Sequence, residues 1–137
     1  MASASEPGML YLDSSALVKL VVAEAETPAL RAFLAGWPDR VSSALARVEV
    51  LRAVKRIDAG PAVHRRAVRV LARVALVRID DTILEAAARM APKVLRTLDA
   101  FHLATARSLD GLAGIVTYDA RLRRAALHAR LKVWSPA

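Results

Sequence analysis

Four acidic residues, Asp13, Glu49, Asp99 and Asp119, lie where a folded chain could bring them together. Asp13 follows the apolar run MLYL, and Asp119 closely follows the apolar stretch GIVT. Asp99, in RTLDAF, lies in the first turn of a predicted helix, and Glu49 lies inside a helix that follows a weak predicted strand. Carboxylates that converge in one pocket repel one another, so they either take up protons or bind a cation.

Such a cluster would hold a hard divalent cation. Oxygen ligands favour Mg²⁺ or Mn²⁺ over zinc, and the sequence contains no cysteine that could supply a thiolate. A divalent cation can activate water, orient a phosphate and stabilise developing charge, which is what the hydrolysis of a phosphodiester requires.

Each acid also has a purely structural interpretation. Asp13 and Asp119 could cap the helices that follow them, and Asp99 could be a first-turn acid behind a Thr97 cap. Glu49 could pair with Arg52 or Arg56 on a solvated helix face. Glu49 fits this interpretation least well, because the apolar residues around it in ARVEVLRAV leave little solvated face.

Short apolar strands alternate with helical patterns along the chain. The strands are predicted at Met9–Leu12, Arg40–Ser43, Ala75–Ile79, Ile115–Thr117 and Leu131–Trp134. The helices are predicted at Ser14–Ala25, Thr27–Trp37, Ala44–Ala59, Ala62–Arg73, Thr82–Met90, Leu98–Leu109 and Ala120–Ala129, and Gly111 and Gly114 are expected to break the chain. This order predicts an α/β fold, a three-layer α/β/α sandwich with a central, mostly parallel sheet. Ligands of such folds bind beyond the carboxyl ends of the strands, where the acids stand.

Length and composition predict one domain. The 137 residues divide into a short N-terminal tail, 1–8, and a domain spanning 9–137. No apolar run approaches the roughly 20 residues of a membrane span, and the N-terminus is a poor signal peptide. We therefore expect a cytoplasmic protein with no membrane partner, an environment compatible with the lack of cysteine.

The net charge of +8 favours a polyanionic partner such as RNA or DNA, although a coding bias toward arginine would also contribute to it. Two segments concentrate this charge without any acid. Residues 60–79 contain Arg65, Arg66, Arg69, Arg73 and Arg78. Residues 121–132 contain Arg121, Arg123, Arg124, Arg130 and Lys132. Either segment could track an RNA backbone, or simply form a solvated helix face.

His102 lies one helical turn after Asp99, so it could assist phosphate binding or proton transfer. The alternative is a histidine packed near the sheet. His64 and His128 have no carboxylates around them and are expected at the surface.

The motifs YLDSSALVKL, SSALARVEVLRAVKR, LRTLDAFHLATA and IVTYDARL occur in one order between Met9 and Trp134. Together they resemble PIN-domain ribonucleases, specifically the VapC-type toxin half of a VapBC toxin–antitoxin pair. The resemblance implies a PIN-like fold and metal-binding roles for Asp13, Glu49 and Asp99. Asp119 corresponds to a fourth acid whose role varies more, and Ser15 and Thr117 match hydroxyls that support the site.

The resemblance also implies an activity and partners. We expect a Mg²⁺- or Mn²⁺-dependent endoribonuclease that hydrolyses RNA, forms a homodimer and is silenced by a cognate antitoxin. A mean hydropathy of +0.32, high for a lone soluble domain, agrees with a surface that a partner covers. The alternative is a non-catalytic PIN-like module that binds RNA or protein. A phospho-acceptor receiver domain fits less well, because it needs an acidic pair near the chain start, where only Glu6 is available.

Overall fold

The computed structural model describes residues 8–137, so residues 1–7 of the predicted tail lie outside the described residues. The strands are β1 (Met9–Leu12), β2 (Arg40–Ser43), β3 (Ala75–Val77), β4 (Leu112–Val116) and β5 (Val133–Trp134). The helices are α1 (Ser14–Val21), α2 (Thr27–Leu34), α3 (Leu45–Ile57), α4 (Pro61–Ala72), α5 (Asp81–Ala88), α6 (Thr97–Arg107) and α7 (Ala120–His128). Within these described residues, no helix is both long and apolar enough to cross a membrane.

The five strands form one sheet in the order β3-β2-β1-β4-β5, and every neighbouring pair is parallel. In the centre, Tyr11 pairs with Val41 on one side and with Ile115 on the other. Because all strands run the same way, their carboxyl ends meet at one edge of the sheet. The predicted parallel sheet is therefore confirmed.

Alternation along β1 creates the two cores of the three-layer sandwich. Leu10 and Leu12 point to one face, into a core with residues of α1 to α4, and Tyr11 points to the other face, where Leu103 and Ile115 pack. All five of these side chains are fully buried. Successive residues of a strand face opposite sides of the sheet, so four apolar residues in a row predict a strand covered on both faces.

The predicted elements all occur, and every helix except α4 is shorter than expected. The helix predicted to reach Ala25 ends at Val21, because the backbone of Val22 is already extended. The prediction that Gly114 breaks the chain is wrong, since this residue lies inside β4. A Cβ atom there would come within 2.6 Å of the Lys132 carbonyl oxygen, so glycine is required for the close approach of the segment leading into β5. Gly111, with a φ of +74°, does form a turn.

Candidate active site

Asp13 lies between β1 and α1, and both of its carboxylate oxygens accept hydrogen bonds. Its Oδ1 accepts from the Ala16 backbone N–H at 3.0 Å and from Ser15 Oγ at 2.6 Å, while Oδ2 accepts from Thr117 Oγ1 at 2.5 Å. Burial raises the pKa of Asp13, and the hydrogen bonds from Ser15 and Thr117 oppose that rise. Asp13 is thus a helix cap, as the structural interpretation predicted, and also a buried acid at the carboxyl edge of the sheet.

Ser15 and Thr117 join the two strand ends that carry Asp13 and Asp119. Ser15 Oγ accepts from the Tyr118 backbone N–H at 2.8 Å, and Thr117 Oγ1 accepts from the Asp119 backbone N–H at 3.0 Å. Each hydroxyl therefore donates to Asp13 and accepts from the start of the β4–α7 connection. This network fixes the carboxylate of Asp13 relative to the neighbouring strand.

The structural interpretation suggested that Glu49 pairs with Arg52 or Arg56. This is wrong, because the carboxylate meets other residues. Its Oε1 lies 2.6 Å from His102 Nε2 and also accepts a short hydrogen bond from Ser14 Oγ. Among residues 8–137, this histidine is the only basic side chain that meets the Glu49 carboxylate. Glu49 therefore points toward the start of α1 and not into solvent on the outer face of α3.

His102 is buried and hydrogen-bonded at both ring nitrogens. Its Nδ1 lies 2.7 Å from the Tyr11 hydroxyl, and its Nε2 contacts Glu49. An ionised carboxylate only accepts, so the ring donates from Nε2 to Glu49, and the Tyr11 hydroxyl, which can donate or accept, meets Nδ1. Burial raises the pKa of Tyr11, which keeps this hydroxyl protonated and able to donate. Tyr11, His102 and Glu49 form one chain from the core to the site.

Asp99 lies in the first turn of α6, but the predicted Thr97 cap is wrong. The N-cap residue is Arg96, which makes no side-chain cap, and Thr97 is already helical. Burial raises the pKa of Asp99, and the charges of Asp119 and Asp13 raise it further, while His102 lowers it. The charges of Asp119 and Asp13 therefore both reach Asp99, although Asp13 lies 86 residues away from it in the sequence.

Asp119 is exposed and caps α7. Its Oδ1 accepts from the backbone N–H groups of Arg121 at 2.9 Å and Leu122 at 3.0 Å. The predicted cap is confirmed. Because its charge also raises the pKa of Asp99, the cap and the cluster of acids are compatible roles for the same residue.

The four candidate acids offer carboxylate oxygens, which are the ligands that a hard divalent cation prefers. Asp13 and Asp99 have raised pKa values, each owing first to burial, and the mutual repulsion of the acids at Asp99 is what a bound cation would relieve. Within residues 8–137, however, no group of three or more histidine, aspartate or glutamate side chains is arranged around one point that an ion could occupy. The acids share an electrostatic field without forming a closed coordination shell.

A cavity of about 440 Å³ opens beside Glu49, which is the one candidate acid among its described lining residues. Ser15, Glu49, Lys19, Arg56 and Tyr118 are among the residues that line it. The Lys19 ammonium lies 4.7 Å from the centre of the Tyr118 ring and 3.1 Å from Glu26 Oε1. Lys19 and Arg56 therefore place positive charge in the same cavity as the negative charge of Glu49. A phosphate group and a cation could both find an oppositely charged partner there.

The sequence did not reveal the roles of Tyr11 and Ser14. Tyr11 is a strand residue in an apolar run, and a core position explains its type completely. Ser14 could have been suspected from its place beside Asp13 in the DSS motif, but only the packing of α1 on α3 brings it to Glu49. Contacts between residues 35 positions apart carry no signature in a single sequence.

Comparison with known proteins gives concordant results. The family model for the PIN domain matches residues 10–127. Ribonuclease VapC46 of Mycobacterium tuberculosis is 47% identical over 93% of this chain and 98% of its own length. Two solved structures share the fold at about 20% identity. A toxin–antitoxin complex from Klebsiella pneumoniae superposes with a TM-score of 0.70, at 21% identity, over 93% of this chain and 98% of the matched chain.

The second solved structure is VapC20 of Mycobacterium tuberculosis, a sarcin-ricin loop cleaving toxin. It gives a TM-score of 0.67 at 20% identity and covers 85% of this chain and 94% of its own. These matches confirm the predicted fold and the resemblance drawn from the four motifs. The chain belongs to the PIN domain family, among its VapC members.

Proposed function

We propose that this protein is an endoribonuclease that depends on a divalent metal and acts as the toxin of a toxin–antitoxin pair. The observation that carries the proposal is the placement of Asp13 and Asp119 at the carboxyl ends of neighbouring parallel strands, joined through Thr117, where their charges also raise the pKa of Asp99. VapC46, the relative that shares 47% identity, is a ribonuclease, which supports RNA as the substrate here.

The residues that would hold Mg²⁺ or Mn²⁺ are Asp13, Glu49, Asp99 and Asp119. When bound, the ion supplies an activated water and neutralises charge on the phosphate. Ser15 and Thr117 hold the Asp13 carboxylate in place by hydrogen bonds of 2.6 and 2.5 Å. His102 and Ser14 hold Glu49, and Lys19 and Arg56 line the adjoining cavity, where they can attract an RNA phosphate.

The partners we propose are an antitoxin protein and a second copy of the chain. Several large apolar side chains are exposed in the described residues: Val48, Ile57, Val68, Leu84, Val94, Leu98 and Leu127. Val94, 86% exposed, and Leu98, 48% exposed, precede and begin α6 and would be covered in a complex. An RNA substrate and an antitoxin partner both suit a protein that works in the cytoplasm.

The experiment is to incubate the purified protein with total RNA in Mg²⁺ or in EDTA and to map the new RNA ends. The proposal expects discrete new ends in Mg²⁺ and none in EDTA. Cleavage that persists in EDTA would contradict the metal dependence. RNA that is bound but never cut would instead favour a non-catalytic RNA-binding module.

A further inference from the structure

We propose that an arginine-lined cavity at the opposite edge of the sheet is a second anion-binding site, which takes the phosphate groups of a nucleotide. This basic cavity has a volume of about 360 Å³. Within residues 8–137, its charged lining consists of five arginines and no acid: Arg31, Arg40, Arg66, Arg69 and Arg73.

The basic cavity lies at the amino ends of β2 and β3. Arg40 is the first residue of β2, and Arg73 ends α4 two residues before β3 begins. Since the strands are parallel, this edge is opposite to the one that carries Asp13. None of the four candidate acids lines the basic cavity, so it is separate from the candidate active site.

No acid among the described residues compensates the positive charge in the basic cavity. Within residues 8–137, the basic partner of every ion pair is either Lys19 or His102, and none of the five arginines takes part in one. Burial lowers the pKa of Arg40, and the nearby charge of Arg73 lowers it further. Like charges held this close repel one another, and a bound anion would relieve the repulsion.

Part of this lining is held in position by the fold. Arg40 donates from Nε to the Trp37 carbonyl oxygen at 2.9 Å and from Nη2 to the Leu34 carbonyl oxygen at 2.8 Å. Arg66 donates to the Val21 carbonyl oxygen at 3.3 Å. These bonds fix two of the guanidinium groups at the cavity and leave their remaining N–H groups available, so less freedom is lost when a ligand binds.

The chemistry of the lining indicates a nucleotide. Planar guanidinium groups match the oxygens of phosphate in bidentate pairs, and a phosphate carries more charge and more acceptor oxygens than a single carboxylate. The apolar part of the lining, Leu20, Leu34, Val70 and Val74, offers a surface for a base or a sugar. The volume lies at the small end of the range for ligand pockets, about 300–1,000 Å³, which suits one nucleotide and not an extended peptide.

The nucleotide could be free, or it could be one residue of the RNA strand whose cut lies at the opposite edge. Both sources present the same phosphate chemistry. The proposal does not rest on the proposed ribonuclease activity, because binding is measured without turnover. A protein that binds nucleotide at the basic cavity and never cuts RNA would refute only the proposed function.

The test is calorimetric titration of the full chain, in EDTA to prevent metal-dependent hydrolysis, with ADP, with pyrophosphate and with a ten-nucleotide single-stranded RNA. The variant Arg69→Gln/Arg73→Gln removes two exposed guanidinium groups from the basic cavity. The matched control, Arg89→Gln/Arg107→Gln, removes two exposed arginines outside this cavity and changes the net charge equally. Arg31→Gln repeats the test from α2, in case the double variant of α4 does not fold.

We expect the basic-cavity variants to bind phosphate ligands about tenfold more weakly or worse, and the control to bind within about threefold of the unmodified protein. Binding of ADP identifies a free nucleotide as a ligand, and binding of the RNA alone identifies the RNA strand. Absence of binding by all three probes, or equal weakening in variant and control, would overturn the proposal. So would binding of a polyglutamate peptide when no phosphate probe binds, since that result identifies an acidic protein segment as the ligand.

Discussion

Glu49 Oε1 lies 2.6 Å from His102 Nε2, which joins α3 to α6 beside the candidate active site. The histidine is 2% exposed and is held in turn by Tyr11, a residue of the central strand. This arrangement makes His102 a positioning residue for Glu49, because it fixes the carboxylate without reaching the open cavity itself.

Replacement of His102 should therefore weaken RNA cleavage through Glu49. We expect His102→Leu to lower kcat about tenfold or more, with KM little changed, since the substrate-facing surface stays the same. His102→Gln can still donate to Glu49 and should retain most of the activity. Steady-state kinetics on a defined RNA measures this difference. Equal losses in the two variants would show that the hydrogen bond from residue 102 to Glu49 does not set the rate.

Two substitutions of Asp119 separate its role as a helix cap from the effect of its negative charge. Asparagine caps a helix about as well as aspartate, so Asp119→Asn should change the free energy of unfolding by less than about 0.5 kcal/mol. We expect the same substitution to reduce RNA cleavage, because it removes a negative charge from the cluster. Asp119→Ala should lose both properties, with a stability cost of about 1 kcal/mol. Full activity of Asp119→Asn would restrict Asp119 to capping.

The raised pKa of Asp99 predicts how stability depends on pH in the metal-free protein. A carboxyl whose pKa is higher in the folded than in the unfolded state binds protons preferentially in the folded state, so stability falls as pH rises through that interval. Asp99→Asn removes this penalty. It should raise Tm in EDTA at pH 8 and leave it nearly unchanged at pH 3.

The expected gain from Asp99→Asn is below about 1 kcal/mol, because the side chain is partly exposed and solvent screens its charge. Thermal unfolding followed by circular dichroism across this pH range provides the measurement. A gain that is independent of pH, or a lower Tm at pH 8, would show that repulsion among the acids does not act on Asp99.

Without metal at pH 8, Asp99→Asn should be more stable than the unmodified protein. Addition of metal should make the unmodified protein the more stable of the two. A cation that binds the folded state raises its free energy of unfolding by about 2.7 kcal/mol at one hundred times Kd. We expect millimolar Mn²⁺ to raise Tm by several degrees in the unmodified protein and in Asp39→Asn, an exposed control on the α2–β2 connection. Asp99→Asn should show little response. A similar rise in all three proteins would indicate binding elsewhere on the chain.

Much of the fold could be predicted from the sequence because its signals are local. The run MLYL, followed by an aspartate and a helical pattern, identifies a buried strand and the cap of the next helix, and β1 has the predicted bounds. Helix ends were less predictable. Ala25 and Trp37 belong to patterns that could continue as helix, but the connections that follow α1 and α2 end both helices earlier.

The sheet edge that carries the acids was predictable, and the resemblance also implied the hydroxyls of Ser15 and Thr117, but the contacts of Glu49 were not predictable. Acids at the ends of parallel strands must share an edge, so the order of elements was enough to place Asp13 and Asp119 at the same edge, but only the structure shows that β1 and β4 are neighbours. The partners of Glu49 depend on how α3 packs against α1 and on where α6 crosses the sheet. Periodicity can show that His102 is buried, but it cannot show which carboxylate the ring meets.

The central claim is that the grouped acids cut RNA, and the most direct test is the cleavage rate of Asp13→Asn. Asparagine can retain the cap to Ala16, and the hydroxyls of Ser15 and Thr117 can rotate to meet its amide, so the fold should persist. With Mg²⁺ and a defined RNA, cleavage should fall at least about a thousandfold, while Asp39→Asn cuts at the normal rate. Undiminished cleavage by folded Asp13→Asn protein would contradict the account.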